Sequence, residues 1–207
     1  MIRRKIAALA GALMLTACGV GGPADDPGPL PDESAPTSSP SPDLAAQKKA
    51  AGIKDCPASD DAVPVTRSGL PEVILSCLGG GREVRLAGLR GQPMMINVWA
   101  QWCGPCREEA PYISEVAAAN RSKLMILGID YNDPRPELAI EFAQLSAWTF
   151  PQLVDQDTAL RVPLQIIGPP QTFFVRADGT IAYRHTGPFT SAEQIRSQAR
   201  EYLGIDL

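Results

Sequence analysis

The sequence predicts an α/β fold in which helices flank a central mixed β-sheet. Short apolar runs rich in β-favouring residues alternate with segments of helical spacing from residue 93 onward, which predicts parallel strands joined by crossover helices. The pair Asp178-Gly179 lies between two further β-rich runs and predicts an antiparallel hairpin near the C-terminus. Parallel and antiparallel pairs together make the predicted sheet mixed.

The first predicted elements lead to a pair of cysteines. Residues 73–78 and 83–86 flank Gly79-Gly80-Gly81, which predicts an added N-terminal β-hairpin. Residues 93–100 (PMMINVWA) are predicted to form a buried strand, and residues 105–119 a helix. Pro105 suits the first turn of that helix, where a missing N–H costs nothing.

The later elements complete the order β-α-β-α-β-β-α after the hairpin. The predictions are a strand over 123–130, a helix over 136–147, an extended segment after Pro151, strands over 171–176 and 181–184, and a last helix ending near Leu203. The tetrapeptide TSAE at 190–193 is a capping box that predicts the start of this last helix.

The N-terminus has the features of an export signal. Basic residues at positions 3–5 precede an apolar run over 6–15, and the segment up to Cys18 resembles a bacterial lipoprotein signal. This resemblance implies that residues 1–17 form a signal peptide and that Cys18 is lipidated. Residues 18–50 are rich in Pro, Ser, Gly and Ala, so we expect this stretch to be a disordered tether, followed by the folded domain over 51–207. The expected location is the extracytoplasmic face of the cell membrane, with a lipid anchor.

The charge pattern argues against one class of partner. The chain has a formal net charge of −4 and no basic cluster after the leader, so nucleic acid is not an expected partner.

Trp102-Cys103-Gly104-Pro105-Cys106 is the motif that carries chemistry. Two cysteines separated by two residues form a reversible dithiol, and here they lie where a strand is predicted to turn into a helix. The free N–H groups and the positive end of the helix dipole stabilise a thiolate there. We therefore assign Cys103 as the nucleophile and Cys106, one helical turn further, as the resolving thiol.

Cys56 and Cys77 remain once lipidation and the dithiol are assigned. In an oxidising compartment two spare cysteines usually pair, so a structural disulfide between them is the preferred interpretation. The alternative is a relay that passes electrons to or from the active pair.

Two stretches resemble a known family. Residues 89–111 (LRGQPMMINVWAQWCGPCREEAP) and 168–181 (GPPQTFFVRADGTI) resemble the thioredoxin-like superfamily, and more narrowly the membrane-anchored extracytoplasmic oxidoreductases of the TlpA/ResA type, over about residues 70–203. The resemblance implies a thioredoxin-like fold and identifies Pro170 as the cis-proline of the substrate groove. It also implies that Pro169 contacts a bound peptide, although Pro169 has no N–H to offer. We add Trp102, which is predicted to cover the dithiol, as a second substrate-binding residue.

The same resemblance assigns a proton acceptor. Classical thioredoxins carry a buried aspartate where this chain has Asn97, whereas the TlpA/ResA type uses a glutamate three residues after the second cysteine, which is Glu109 here. A carboxyl one turn from Cys106 is placed to accept its proton. The alternative is an ordinary solvated helix residue.

The function predicted from these features is a thiol-disulfide oxidoreductase that reduces disulfides of exported proteins. The resemblance implies electrons from an integral membrane thiol carrier of the CcdA type and apocytochrome c as one client. The alternatives are an oxidative-folding oxidase or isomerase, and a copper chaperone that uses the two cysteines as ligands. We expect no cofactor and no metal, because no second ligand pair stands near the dithiol. A thiol peroxidase is disfavoured. Those enzymes resemble one another in having a threonine three residues before the reactive cysteine, and this chain has Ala100 at that position.

Overall fold

The structure is a computed structural model, which describes residues 43–120 and 122–207. The predicted signal peptide over 1–17, Cys18 and most of the predicted tether lie outside the described residues.

Within these two ranges the chain forms seven strands and four α-helices. In chain order they are α1 (Leu44–Ala50), β1 (Ile74–Cys77), β2 (Glu83–Arg85), β3 (Met94–Trp99), α2 (Gly104–Ala119), β4 (Met125–Tyr131), α3 (Pro136–Leu145), β5 (Gln152–Asp155), β6 (Gln171–Val175), β7 (Ile181–Thr186) and α4 (Ala192–Leu203). A short 3₁₀ turn, Leu86–Gly88, follows β2. None of these helices is both long and apolar enough to cross a membrane.

All seven strands belong to one mixed sheet, as the sequence predicts. The strand order is β2-β1-β5-β4-β3-β6-β7. Strands β3, β4 and β5 run parallel to one another, whereas β6 is antiparallel to β3 and β7 is antiparallel to β6. At the other edge β1 pairs antiparallel with both β2 and β5. Strand β5, which the sequence showed only as an extended segment after Pro151, joins this edge to the parallel centre of the sheet.

The central strand β3 is buried on both faces, which explains why its sequence is an unbroken apolar run. Met95 and Trp99 belong to one core cluster, together with apolar residues of α2, α3 and α4. Ile96 and Val98 belong to a second cluster, as alternation along a strand requires. The Trp99 ring stacks on Phe142 of α3 at 4.8 Å between centroids. Strand β3 is thereby held rigidly at the point where it leads into the cysteine pair.

Helix α1 extends the folded unit ahead of the predicted boundary at residue 51. From Asp43 onward the described residues belong to the compact unit that contains the sheet, and α1 packs against α3. Asp43 caps the helix by accepting a hydrogen bond from the Ala46 N–H at 3.0 Å. Residues 44–50 therefore belong to the domain rather than to a disordered tether, because they contribute a buried side chain, that of Lys48.

Helix α4 begins one residue later than the TSAE motif indicated. The N-cap is Ser191, whose Oγ accepts from the Gln194 N–H at 3.2 Å. The Gln194 side chain in turn accepts from the Thr190 N–H at 2.9 Å. Ser191 thus caps the helix, and the Gln194 side chain reaches back to the residue before the cap, in a variant of the capping box in which glutamine replaces glutamate.

Candidate active site

The cysteine pair lies at the edge of the sheet where several strand ends meet. Strands β3 and β4 are parallel, so their carboxyl ends share one edge. Strand β6 is antiparallel to β3, and Gln171 pairs with Val98. The residue before β6, Pro170, therefore lies beside the end of β3, next to the segment that carries the cysteines. The topology thus brings residues 100–106 and 168–170 together although more than sixty positions separate them in the chain.

Cys103 is the N-cap of α2 and Cys106 lies in its first turn. The Cys106 N–H donates to the Cys103 Sγ at 3.1 Å. The two sulfur atoms are bonded at 2.03 Å, with 5.3 Å between the Cα atoms. Cys106 is fully buried, and Cys103 retains 3% exposure. A helix N-terminus with an N–H aimed at Cys103 Sγ is a setting that stabilises a thiolate there once the bond is reduced.

Glu109 is completely buried, although it carries an ionisable carboxyl. Its Oε1 accepts from the Asn97 side-chain amide at 2.9 Å, and its Oε2 accepts from the Phe189 N–H at 3.0 Å. Burial raises the pKa of Glu109 from 4.5 to about 7, against the opposing effect of the two hydrogen bonds. Glu109 is therefore not a solvated helix residue, and near neutral pH it is able both to take and to release a proton.

Asn97 connects this carboxyl to the next strand. Its amide also donates to the Thr172 Oγ1 of β6 at 3.0 Å. The pair Asn97–Thr172 is in register between β3 and β6, immediately below the sheet edge that carries Pro170. Asn97 thus holds the Glu109 carboxyl in place and links it to β6.

The two substrate-binding candidates are Trp102, which precedes Cys103 in the chain, and Pro169, which precedes the cis-proline. Trp102 is 47% exposed, and its indole N–H donates to the Asn132 carbonyl at 3.1 Å. The Pro169–Pro170 peptide bond is cis. Pro170 is buried and its carbonyl accepts from the Gly187 N–H at 3.1 Å, whereas Pro169 is half-buried. An exposed aromatic face and a partly exposed proline are suitable contacts for an extended peptide.

Sequence reasoning missed two acidic residues at this edge, Asp130 and Asp133. Asp133 accepts from the Gln101 N–H at 3.0 Å and from the Arg135 N–H at 3.1 Å, so it ties the loop after β4 to the residue that precedes Trp102. Burial, and then the negative charge of Asp133, raise the pKa of Asp130 to about 9. The sequence could have indicated these two residues, because they lie at or just after the carboxyl end of a predicted parallel strand, where functional residues of open α/β sheets are commonly found.

The remaining cysteines of the described residues lie elsewhere. Cys56 and Cys77 are bonded at 2.00 Å between sulfur atoms. Cys77 ends β1, which lies at the far side of the sheet from β3. Over residues 43–120 and 122–207, no group of three or more His, Cys, Asp or Glu side chains is arranged to hold a metal ion.

Comparisons with protein families and with curated proteins both find similar sequences. A protein-family model described as the AhpC/TSA family matches residues 68–184. The thiol:disulfide interchange protein DsbE of Yersinia pestis is 36% identical over 108 residues, which are 52% of this chain and 56% of that protein. The chain therefore spans little more than half the length of this curated relative.

Solved structures share the fold. A secreted Mycobacterium tuberculosis disulfide oxidoreductase, described as homologous to E. coli DsbE, has a TM-score of 0.56 at 26% identity and covers 63% of this chain and 96% of its own. A thioredoxin-like protein from Porphyromonas gingivalis has a TM-score of 0.55 at 24% identity, over 67% of this chain and 94% of its own. The fold is thioredoxin-like, as the sequence resemblance implied.

Proposed function

Because the chain belongs to the AhpC/TSA family, we propose that it is a thiol-disulfide oxidoreductase that works through Cys103 and Cys106. The observation that carries this proposal is the geometry of the pair. The two sulfur atoms are within bonding distance at the start of α2, and the Cys106 N–H points at Cys103 Sγ. The curated relative and the secreted M. tuberculosis protein, both named for disulfide chemistry, support the same reaction class.

The proposed reaction has two exchange steps. The Cys103 thiolate attacks one sulfur of a substrate disulfide, so that a mixed disulfide forms and the other substrate sulfur leaves as a thiolate. Cys106 then attacks Cys103 Sγ, the mixed disulfide breaks, and the second substrate sulfur is released. The enzyme ends with the Cys103–Cys106 disulfide and the substrate with two thiols. Cys103 is the nucleophile because it caps the helix and is the more exposed of the two.

Glu109 is proposed to accept the Cys106 proton in the second step. Cys106 and Glu109 are separated by one helical turn, and both are buried. The pKa of the Glu109 carboxyl, about 7, is closer to that of a thiol than the pKa of an exposed glutamate is, so proton transfer from Cys106 is easier. Asn97 and the Phe189 N–H hold the carboxyl in place.

Trp102 and the Pro169-Pro170 segment are proposed to contact the substrate on either side of Cys103. Pro169 has no N–H, so a bound peptide can pair only with its carbonyl. An extended substrate would therefore make fewer main-chain hydrogen bonds here than it would to a residue with both an N–H and a carbonyl.

We propose that the clients are exported proteins with disulfides and that the pair is reset as a dithiol by an integral membrane thiol carrier of the CcdA type. Apocytochrome c is one such client. Gly104 and Pro105 between the cysteines resemble the residues of reducing thioredoxins, which favours reduction over oxidation of clients. The N-terminal sequence supports export and anchoring through a lipid on Cys18, at the extracytoplasmic face of the membrane.

Trapping of clients tests the nucleophile. In the full chain, Cys106→Ser should accumulate mixed disulfides on Cys103, because the resolving thiol is missing. The matched variant Cys103→Ser should accumulate few. Equal trapping by the two variants, read on non-reducing gels and by mass spectrometry, would reverse the assignment.

The equilibrium reduction potential against glutathione tests the direction. A value of about −270 mV supports the reductase, whereas a value of about −120 mV would instead support the oxidative-folding alternative.

A further inference from the structure

Lys48 is a nearly buried lysine whose ammonium contacts a disulfide. Its Nζ donates to the Asp55 Oδ1 at 2.9 Å, to the Gly80 carbonyl at 3.0 Å and to the Cys77 Sγ at 3.2 Å. An ammonium has three donors and no acceptor, so all of its hydrogen-bonding capacity is used. A bonded sulfur is a weak acceptor, whereas a thiolate is a charged one. The third donor is therefore better matched to reduced Cys77 than to oxidised Cys77.

The ion pair between Lys48 and Asp55 does not cancel the electrostatic effect of the ammonium on the Cys77 sulfur. Asp55 is largely exposed, and its hydrogen bond to Lys48 holds the pKa of that carboxyl below its usual range. Solvent screens the exposed carboxylate more than it screens the buried contact between the ammonium and the sulfur. Arg82, in the turn between β1 and β2, adds a second positive charge that acts on Asp55.

This disulfide is separate from the proposed active site. Strands β5 and β4 lie between β1, which ends at Cys77, and β3, which leads to Cys103. Three strand spacings amount to about 14 Å. Exchange requires one sulfur to reach another, so the two pairs do not react with each other within one folded molecule.

We infer that Cys56–Cys77 is a second reducible disulfide, and that Lys48 stabilises its reduced form by pairing with the Cys77 thiolate. A dithiol is the reductant. Its thiolate attacks Cys56 Sγ, the Cys56–Cys77 bond breaks, and Cys77 leaves as a thiolate beside Lys48. The second sulfur of the dithiol then displaces Cys56, so the dithiol becomes a disulfide. The external dithiol thus gives two electrons to the Cys56–Cys77 pair and loses two protons. One of these protons ends on Cys56 and the other enters the solvent.

Reduction would loosen one part of the fold selectively. The disulfide links the segment that contains Cys56 to the end of β1. Breaking it frees that segment, whereas the new ion pair between Lys48 and Cys77 keeps α1 in contact with β1. The redox state of this pair thereby controls the connection between the segment around Cys56 and β1.

The test uses the full chain in which every cysteine except Cys56 and Cys77 is replaced by serine. The protein is equilibrated with mixtures of reduced and oxidised dithiothreitol, and free thiols are counted by alkylation and mass spectrometry. At about pH 9, where thiols ionise and lysine keeps its charge, Lys48→Met should shift the equilibrium toward the disulfide by on the order of tenfold. Near about pH 6 the shift should almost vanish, because Cys77 is then protonated in both proteins.

Asp55→Asn is the matched control, because it breaks the same ion pair while keeping the ammonium. It should leave the equilibrium unchanged or shift it toward the dithiol. If both substitutions shift the equilibrium equally toward the disulfide, Lys48 acts only through its ion pair with Asp55 and the inference is wrong. No effect of Lys48→Met at about pH 9 would overturn it as well.

A second measurement covers the case in which Lys48→Met unfolds. With Cys56 also replaced by serine, the ultraviolet absorbance of the Cys77 thiolate is titrated in proteins that carry Lys or Arg at position 48. Both should form the thiolate at lower pH than the unfolded chain in urea does, and coincidence of the folded and unfolded curves would refute the inference. All these proteins lack Cys103 and Cys106, so the outcome is independent of the proposed oxidoreductase activity.

Discussion

Replacing Glu109 by Gln should make the protein more stable than the wild type at alkaline pH but not at acidic pH. Burial raises the pKa of Glu109 from 4.5 to about 7, so between these two values the folded protein binds a proton that the unfolded chain has released. The contribution of this carboxyl to stability is complete below its unfolded pKa and is lost as the pH rises through about 7. A pKa difference of this size corresponds to about 3 kcal/mol, because each unit is worth about 1.4 kcal/mol.

Glutamine is the suitable replacement because it resembles the protonated acid in shape and charge. Its carbonyl is able to accept from the Phe189 N–H, as Glu109 Oε2 does now. Its amide group then faces Asn97, whose own Oδ1 lacks a hydrogen-bond partner among the described residues. A rotated Asn97 amide offers that oxygen to the new donor. Near about pH 4 the variant and the wild type should therefore differ little in stability.

The assay is urea unfolding with both disulfides intact, at a series of pH values from about 4 to about 9. The free-energy difference between Glu109→Gln and the wild type should grow by about 3 kcal/mol across this range, most steeply between the unfolded and folded pKa values. Glu108→Gln is the control, since Glu108 is exposed and its substitution should leave the pH dependence unchanged. A constant difference across the pH range would show that Glu109 is not held protonated by burial.

The same variant tests the proposed chemistry. Stopped-flow exchange should slow by at least about tenfold in Glu109→Gln, and the inflection near pH 7 should disappear, because the proton acceptor for Cys106 is gone. Identical kinetics of the two proteins from about pH 5 to about 9 would remove Glu109 from the mechanism.

Two further predictions concern the framework of the site. In Gly128→Ala the new Cβ would lie 1.8 Å from Gln152 Oε1, which accepts the Trp99 indole N–H, so we expect a loss of about 2 kcal/mol or more in urea unfolding. Gly104→Ala is the control, because a Cβ there has no neighbouring atom within 4 Å, and it should change stability by less than about 0.5 kcal/mol. Equal losses of stability in the two variants would contradict this reasoning. Asp133→Ala should destabilise the fold by about 1–3 kcal/mol and slow exchange, because a buried N–H before Trp102 loses its acceptor, whereas Asp133→Asn keeps an acceptor and should lose less. Wild-type stability and exchange rates for Asp133→Ala would exclude this positioning role.

The sequence alone was sufficient for the elements whose signals are local. The apolar run over 93–100, the cysteine pair and Pro105 together predict a strand that turns into a helix, and β3 and α2 lie there. The late hairpin follows from Asp178-Gly179 in the same way. Strand β5 was harder to assign, because four residues are too few to show a period and its pairing partners β4 and β1 are distant in the chain.

Only the tertiary structure decided the environments of the ionisable groups. The sequence left a solvated Glu109 as the alternative to a proton acceptor. The carboxyl is buried, and it accepts hydrogen bonds from Asn97 and from the N–H of Phe189, eighty positions later. Lys48 reads as part of a polar tether, yet its ammonium lies against Cys77. Asp133 joins the site only because parallel β3 and β4 end at one edge. Strand and turn preferences arise within a few residues, whereas burial and the pKa of a carboxyl depend on groups that only the folded chain brings near.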